Sequence, residues 1–151
     1  MIKKLSVAIE KVVCVGLLFA ACASNAAAQT PTLYKRLGGY DAIAAVSDEF
    51  IARLAGDKQL SRFLVGLSTD SQKRLRQLVV DQLCAATGGP CIYIGRDMKT
   101  THGGLNITES DRDIAVKHLI ASLDKFKVPE KEKNEFLALA SSLKPDIVQA
   151  K

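Results

Sequence analysis

Tryptophan is absent, and only two histidines occur among the 151 residues. Cysteine is sparse too, with four in all and none grouped with histidine at the spacing of a zinc site. Metal chemistry must therefore converge on very few side chains. No run alternates apolar and polar residues, so the signature of half-buried strands is missing. Lysines and arginines are scattered, without a basic stripe interleaved with aromatics, and nucleic acid is not an expected partner. The longest apolar run falls short of the roughly 20 residues that span a bilayer.

That run lies in what reads as an export signal. Lys3 and Lys4 supply its positive region, Val12 to Ala21 its apolar core, and Ala26-Ala27-Ala28 a small-residue cleavage site before Gln29. Residues 1–28 are expected to be removed, leaving 29–151 as one exported, periplasmic domain. A lipid-anchored alternative stays open, because Leu18-Phe19-Ala20-Ala21-Cys22 resembles a bacterial lipoprotein box; membrane association is expected only if Cys22 is lipidated. Cleavage takes away three lysines and one glutamate, lowering the formal net charge from +5 to +3. The remaining length can bury a modest core without metals or disulfides as staples.

Two cysteines then remain, Cys84 and Cys91. They can close a small loop around Gly88-Gly89-Pro90 or serve as two buried apolar residues; an oxidising compartment and the intervening turn favour the disulfide.

Helical periodicity dominates the rest, and the chain reads as all-α. Leu33 to Leu37 forms one short turn before Gly38-Gly39. Ile43, Val46, Phe50 and Leu54 mark a helix over Asp41–Leu54, and Lys58–Leu64 a short one. Thr69 with Gln72 gives a capping-box pattern ahead of a stripe of Leu75, Leu78, Val79, Leu83 and Ala86. An extended segment over 90–97 leads into a single turn over Asp97–His102. Thr108 and Asp111 open a longer helix with Ile114, Val116, Leu119, Ile120, Leu123 and Phe126, ending near Val128. Pro129 suits the first position of the last helix, whose face of Phe136, Ala140, Leu143 and Ile147 is expected to kink at Pro145.

His102 closes the short turn just before Gly103-Gly104. A histidine that holds haem iron needs a neutral ring, a partner for its second nitrogen and an apolar slot. The Met98 carbonyl lies one helical turn back and can take the second nitrogen, while the glycines leave room for a flat macrocycle. Haem propionates prefer cations or hydroxyl donors, for which Tyr93 and Lys99 are better placed than Arg96. His118, beside Leu119 in mid-helix, is read as an ordinary helix histidine.

Taken in order, Leu33-Tyr34-x-x-Leu37-Gly38-Gly39, Gly88-Gly89-Pro90, Tyr93-x-Gly95-Arg96, Met98-Lys99-x-x-His102 and Gly104-Leu105-x-Ile107-Thr108 resemble the group I truncated haemoglobins. The resemblance spans the chain from Leu33 onward. It implies a two-over-two helical sandwich around haem b, with His102 as the iron ligand and a diatomic gas opposite. Phe50, Ile51, Phe63, Leu64, Leu75, Val79, Tyr93, Met98, Lys99 and Ile107 are the implied pocket residues.

The chain also departs from the family. Ile51 stands where members often place a tyrosine, Leu75 and Val79 where a polar group is common, and Phe63-Leu64 replaces paired phenylalanines. An apolar wall implies weak retention of dioxygen relative to less polar ligands. A one-residue register shift would instead turn Gln77, Gln82 or Arg76 inward. Beside the gas-binding reading stand two others: a haem enzyme that oxidises nitric oxide with dioxygen, supplied by an unidentified reductase, and a haem-free interaction module.

Overall fold

Gly38 and Gly39 take φ of 101° and 81°, a region that costs a side-chain-bearing residue about 1–2 kcal/mol, and this bend divides the first two helices. The computed structural model describes residues 30–149; the expected export signal and the Cys22 box lie outside them. Helix α1 is Leu33–Arg36, capped by the Thr32 side chain, and α2 is Tyr40–Gly56. A 3₁₀ turn at Ser61–Phe63 leads to α3, Thr69–Ala86. Then come α4, Met98–His102, α5, Glu109–Lys125, α6, Glu130–Ser142, and α7, Lys144–Ile147. No strand occurs among the described residues, and none of their helices is long and apolar enough to cross a membrane.

The pair α2/α3 lies over the pair α5/α6, with α2 packing on both α3 and α5 and α1 closing against α6. Two apolar clusters hold the layers. Leu33, Val46, Leu119, Leu123 and Phe136 join α1, α2, α5 and α6, with Phe50 packed against them. Ile43, Ala44, Val80 and Cys84 join α2 to α3. Burying side chains of this size is worth about 1.5–3 kcal/mol each.

Several boundaries differ from the sequence reading. The cap of α3 is Ser68, whose hydroxyl accepts from Ser71 N, while the Gln72 side chain donates to Leu67 O. Ser68 offers the same capping chemistry one position earlier. Of Lys58–Leu64, only Ser61–Phe63 is helical, because Asp57 Oδ1 accepts from the amides of Gln59 and Leu60 and forms a turn there. Helix α5 ends at Lys125 rather than near Val128, with Lys127 at φ 55°. Pro129 is the cap of α6 and not its first residue. At Pro145 the helix does more than kink: Leu143 ends α6 and starts α7.

The sulfurs of Cys84 and Cys91 are bonded, so the end of α3 is tied to the extended segment that feeds α4. Side chains in that segment alternate: Cys91, Tyr93 and Gly95 are half-buried, and Ile92, Ile94 and Arg96 are exposed.

Candidate functional site

Asp97 creates the turn that carries His102. Its side chain accepts from Thr100 N at 2.8 Å and from Thr100 Oγ1 at 2.8 Å, a cap that leaves the carboxyl below its ordinary range, chiefly through the Thr100 backbone bond. One turn of helix then puts His102 Nδ1 2.9 Å from Met98 O. A carbonyl can only accept, so Nδ1 carries the hydrogen, and Nε2 of the neutral ring keeps its lone pair. Half-buried His102 therefore presents one ligating nitrogen with its ring orientation fixed.

The loop beyond His102 is held from the far end of the chain. Gln149 Oε1 accepts from Gly104 N at 3.1 Å, and Gln149 N donates to Ile107 O at 2.9 Å. Helix α7 packs against α4 from the same side. Ile107 is buried, 7% exposed.

Helix α3 has two apolar faces, which the single stripe read from the sequence does not distinguish. Val80 and Cys84, both 0% exposed, face α2. Arg76 and Gln77 flank that face, bonded to Asp48 and Tyr40 of α2. Leu75, Leu78 and Val79 turn away from it, are half-buried and belong to neither core cluster. Ala86, expected in the stripe, is exposed. Arg76 and Gln77 therefore do not turn inward. Gln82 is half-buried and, at 100° per residue, lies on the side of Leu75 and Val79.

Ile51, Phe63, Leu64 and Met98 are likewise half-buried. Phe63 lies under Arg62, whose guanidinium carbon sits 4.4 Å from the ring centroid. Tyr93 is half-buried and its hydroxyl donates to Arg96 O at 2.7 Å. With its one hydrogen committed there, Tyr93 has no donor left for a propionate, and it shapes the loop instead. A Cβ on Gly95 would stand 2.3 Å from the Tyr93 ring and hydroxyl, so glycine is what lets the ring fold back. Lys99 and Arg96 are both exposed. His118 Nε2 is bound to Asp57, which agrees with its reading as a structural histidine.

These residues fit a haem. One imidazole nitrogen is free of hydrogen-bonding partners among the described residues, and large apolar side chains stand half-exposed on α2, α3 and the 63–64 corner instead of closing on one another. Sequence reasoning missed Asp57, Gln59, Arg62 and Gln149, because their partners are distant in sequence.

A family model described as bacterial-like globin matches residues 32–149. The chain is 34% identical to the group 1 truncated hemoglobin of Mycolicibacterium paratuberculosis over 120 residues, covering 80% of this chain and 86% of that protein. It is 41% identical to the group 1 truncated hemoglobin of Nostoc commune over 88 residues, 58% of this chain and 72% of that one. In three dimensions it is similar to the truncated hemoglobin of Tetrahymena pyriformis in its Fe(III) form, with a TM-score of 0.71 and 26% identity over 78% of this chain and 98% of the other.

Proposed function

The chain belongs to the bacterial-like globin family, among the group 1 truncated hemoglobins, and from that premise we propose that His102 Nε2 is the protein ligand of its haem iron. It is a haem-binding globin for a diatomic gas. The observation that carries the ligand assignment is the 2.9 Å bond from His102 Nδ1 to Met98 O, which sets which nitrogen bears the hydrogen and aims the ring. When bound, haem would supply the iron that takes the gas.

The residues of this chain define what surrounds that position. Phe50, Ile51, Leu75 and Val79 exclude water and offer no hydrogen, so a polarised ligand gains little from them. Phe63, Leu64, Met98 and Ile107 would hold the macrocycle, and Lys99 would meet a propionate. Loss of haem from His102→Gly, with recovery on adding imidazole, tests the assignment.

Export is the accompanying proposal. A formed Cys84–Cys91 disulfide supports it, since such bonds persist in oxidising compartments. Oxidation of nitric oxide is the second reading; it needs stable dioxygen binding and a reductase, and the apolar wall disfavours the first of these. Nitrate formation under turnover decides between gas binding and that enzymatic role.

A further inference from the structure

Asp111 is 1% exposed, yet it carries a charge. Starting a helix does not require this. A capping carboxylate can do its work in water, whereas burial costs it solvation that its partners must replace. Here the partners come from two places. Thr108 N and Thr108 Oγ1 donate to Oδ2 at 2.9 and 2.8 Å. Arg62 Nη2 donates to the same oxygen at 2.7 Å, and Gln59 Nε2 donates to Oδ1 at 2.7 Å.

The two sets of donors adjoin two sets of pocket residues. Thr108 follows Ile107 directly. Arg62 precedes Phe63 and stacks on its ring at 4.4 Å, and Leu64 comes next. A single carboxylate thus fastens the corner between α2 and α3 to the point where α5 begins. Two turns further along α5, His118 Nε2 meets Asp57 Oδ2 at 2.9 Å, giving the same corner a second attachment at its other end. Leu60, 4% exposed, is buried between them. Just beyond this corner Val65 is 78% exposed.

We propose that Asp111 is a positioning residue for the haem pocket: through Arg62 and Gln59 it fixes the Phe63-Leu64 corner against the Ile107 entry to α5. A carboxylate has acceptor sites for all four of these donors, and an amide or hydroxyl in its place does not. Arg62 supplies the counter-charge from a half-exposed position, so it can be altered without opening the core. This role rests on the haem reading above, since Phe63, Leu64 and Ile107 matter to function only as walls of that site.

The test compares the parent protein with Asp111→Asn, Arg62→Met and Arg62→Lys. Amide hydrogen exchange on the haem-free protein reads the corner directly, and transfer of haem to an excess of a haem acceptor reads its consequence. Asp111→Asn and Arg62→Met are expected to speed exchange of amides 59–65 by about tenfold, the equivalent of one charge-assisted hydrogen bond, with α6 unchanged. Haem loss should accelerate about as much, and Arg62→Lys should restore most of both. Unchanged exchange at 59–65, an equal rise through α6, or unchanged haem loss despite local opening each overturns the proposal. Should Asp111→Asn fail to fold, Arg62→Met and Arg62→Lys decide alone. If no protein in the set, parent included, takes up haem, the haem reading falls and the positioning role with it, whatever the exchange pattern.

Discussion

His118 Nε2 lies 2.9 Å from Asp57 Oδ2, and the other oxygen of that carboxylate accepts from Gln59 N at 2.8 Å and Leu60 N at 3.0 Å. The second histidine of the chain is therefore engaged in holding a corner, between α5 and the turn that follows α2.

This arrangement sets an acid limit. Asp57 is held below its ordinary pKa of 3.8, first by the His118 hydrogen bond and then by the amides of Leu60 and Gln59. For Asp111 burial is the largest single influence and works against the charge, but Gln59, Thr108 and Arg62 outweigh it and bring the value from 3.8 to about 2. A carboxylate depressed in the folded state stabilises the fold above its unfolded value, and that contribution fades as pH falls to the folded value. Urea midpoints should hold steady at neutral pH and fall between pH 3.8 and about 2. Asp111→Asn should be less stable near neutrality, by roughly 1–3 kcal/mol, and show a shallower acid slope. An identical slope in the variant would count against this source of acid sensitivity.

His102→Gly should fold with its helical content intact, because the ring makes only the bond to Met98 O among the described residues. Its haem should be lost, and free imidazole should restore the visible spectrum. A variant that keeps the parent spectrum without imidazole would remove His102 from the iron.

Cys84→Ser with Cys91→Ser should lower stability by roughly 2–3 kcal/mol, the magnitude expected for opening so short a loop. Because the bond joins α3 to the segment before α4, gas-binding rates should shift as well when a reductant is added to the parent protein. Rates insensitive to reductant would show that α3 and α4 are positioned independently.

Gly89→Ala should be more damaging than an ordinary surface change. The new Cβ would stand 2.5 Å from Tyr34 Cδ2, 2.7 Å from Cys84 Sγ and 2.8 Å from Cys84 O. Neither the disulfide sulfur nor a backbone carbonyl can swing aside, so a loss of about 1–3 kcal/mol is expected in thermal melts.

Dioxygen should dissociate quickly in stopped-flow measurements, since Ile51, Leu75 and Val79 carry no donor. Val79→Gln adds one on the same face of α3 and should slow dissociation by about tenfold, in line with one hydrogen bond. Slow dissociation in the parent protein would point to a donor already present, with half-buried Gln82 the first to replace.

How much of this could be read from the residues follows the range of each interaction. The bond from His102 to Met98 spans one helical turn, and the Thr108–Asp111 box spans three positions, so local spacing reveals both. The order of helices was legible because glycine and proline break the periodicity where the chain bends. The Cys84–Cys91 pairing was legible from the turn between them. What Asp111 does beyond its box was not, because Arg62 and Gln59 lie 49 and 52 positions away. Helix α3 misled for a different reason: it is apolar on two sides, and a stripe count merges the face packed on α2 with the face bearing Leu75 and Val79. Tyr93 was correctly placed in the loop before α4, but a sequence does not say where a hydroxyl hydrogen points.

The two bonds from Gln149 to Gly104 N and Ile107 O make part of the site depend on a residue that lines none of it. Cutting the chain ahead of Gln149 would leave every pocket residue in place and still strip the brace from residues 104–107, so the loop beside the histidine would loosen without a single change to the pocket itself.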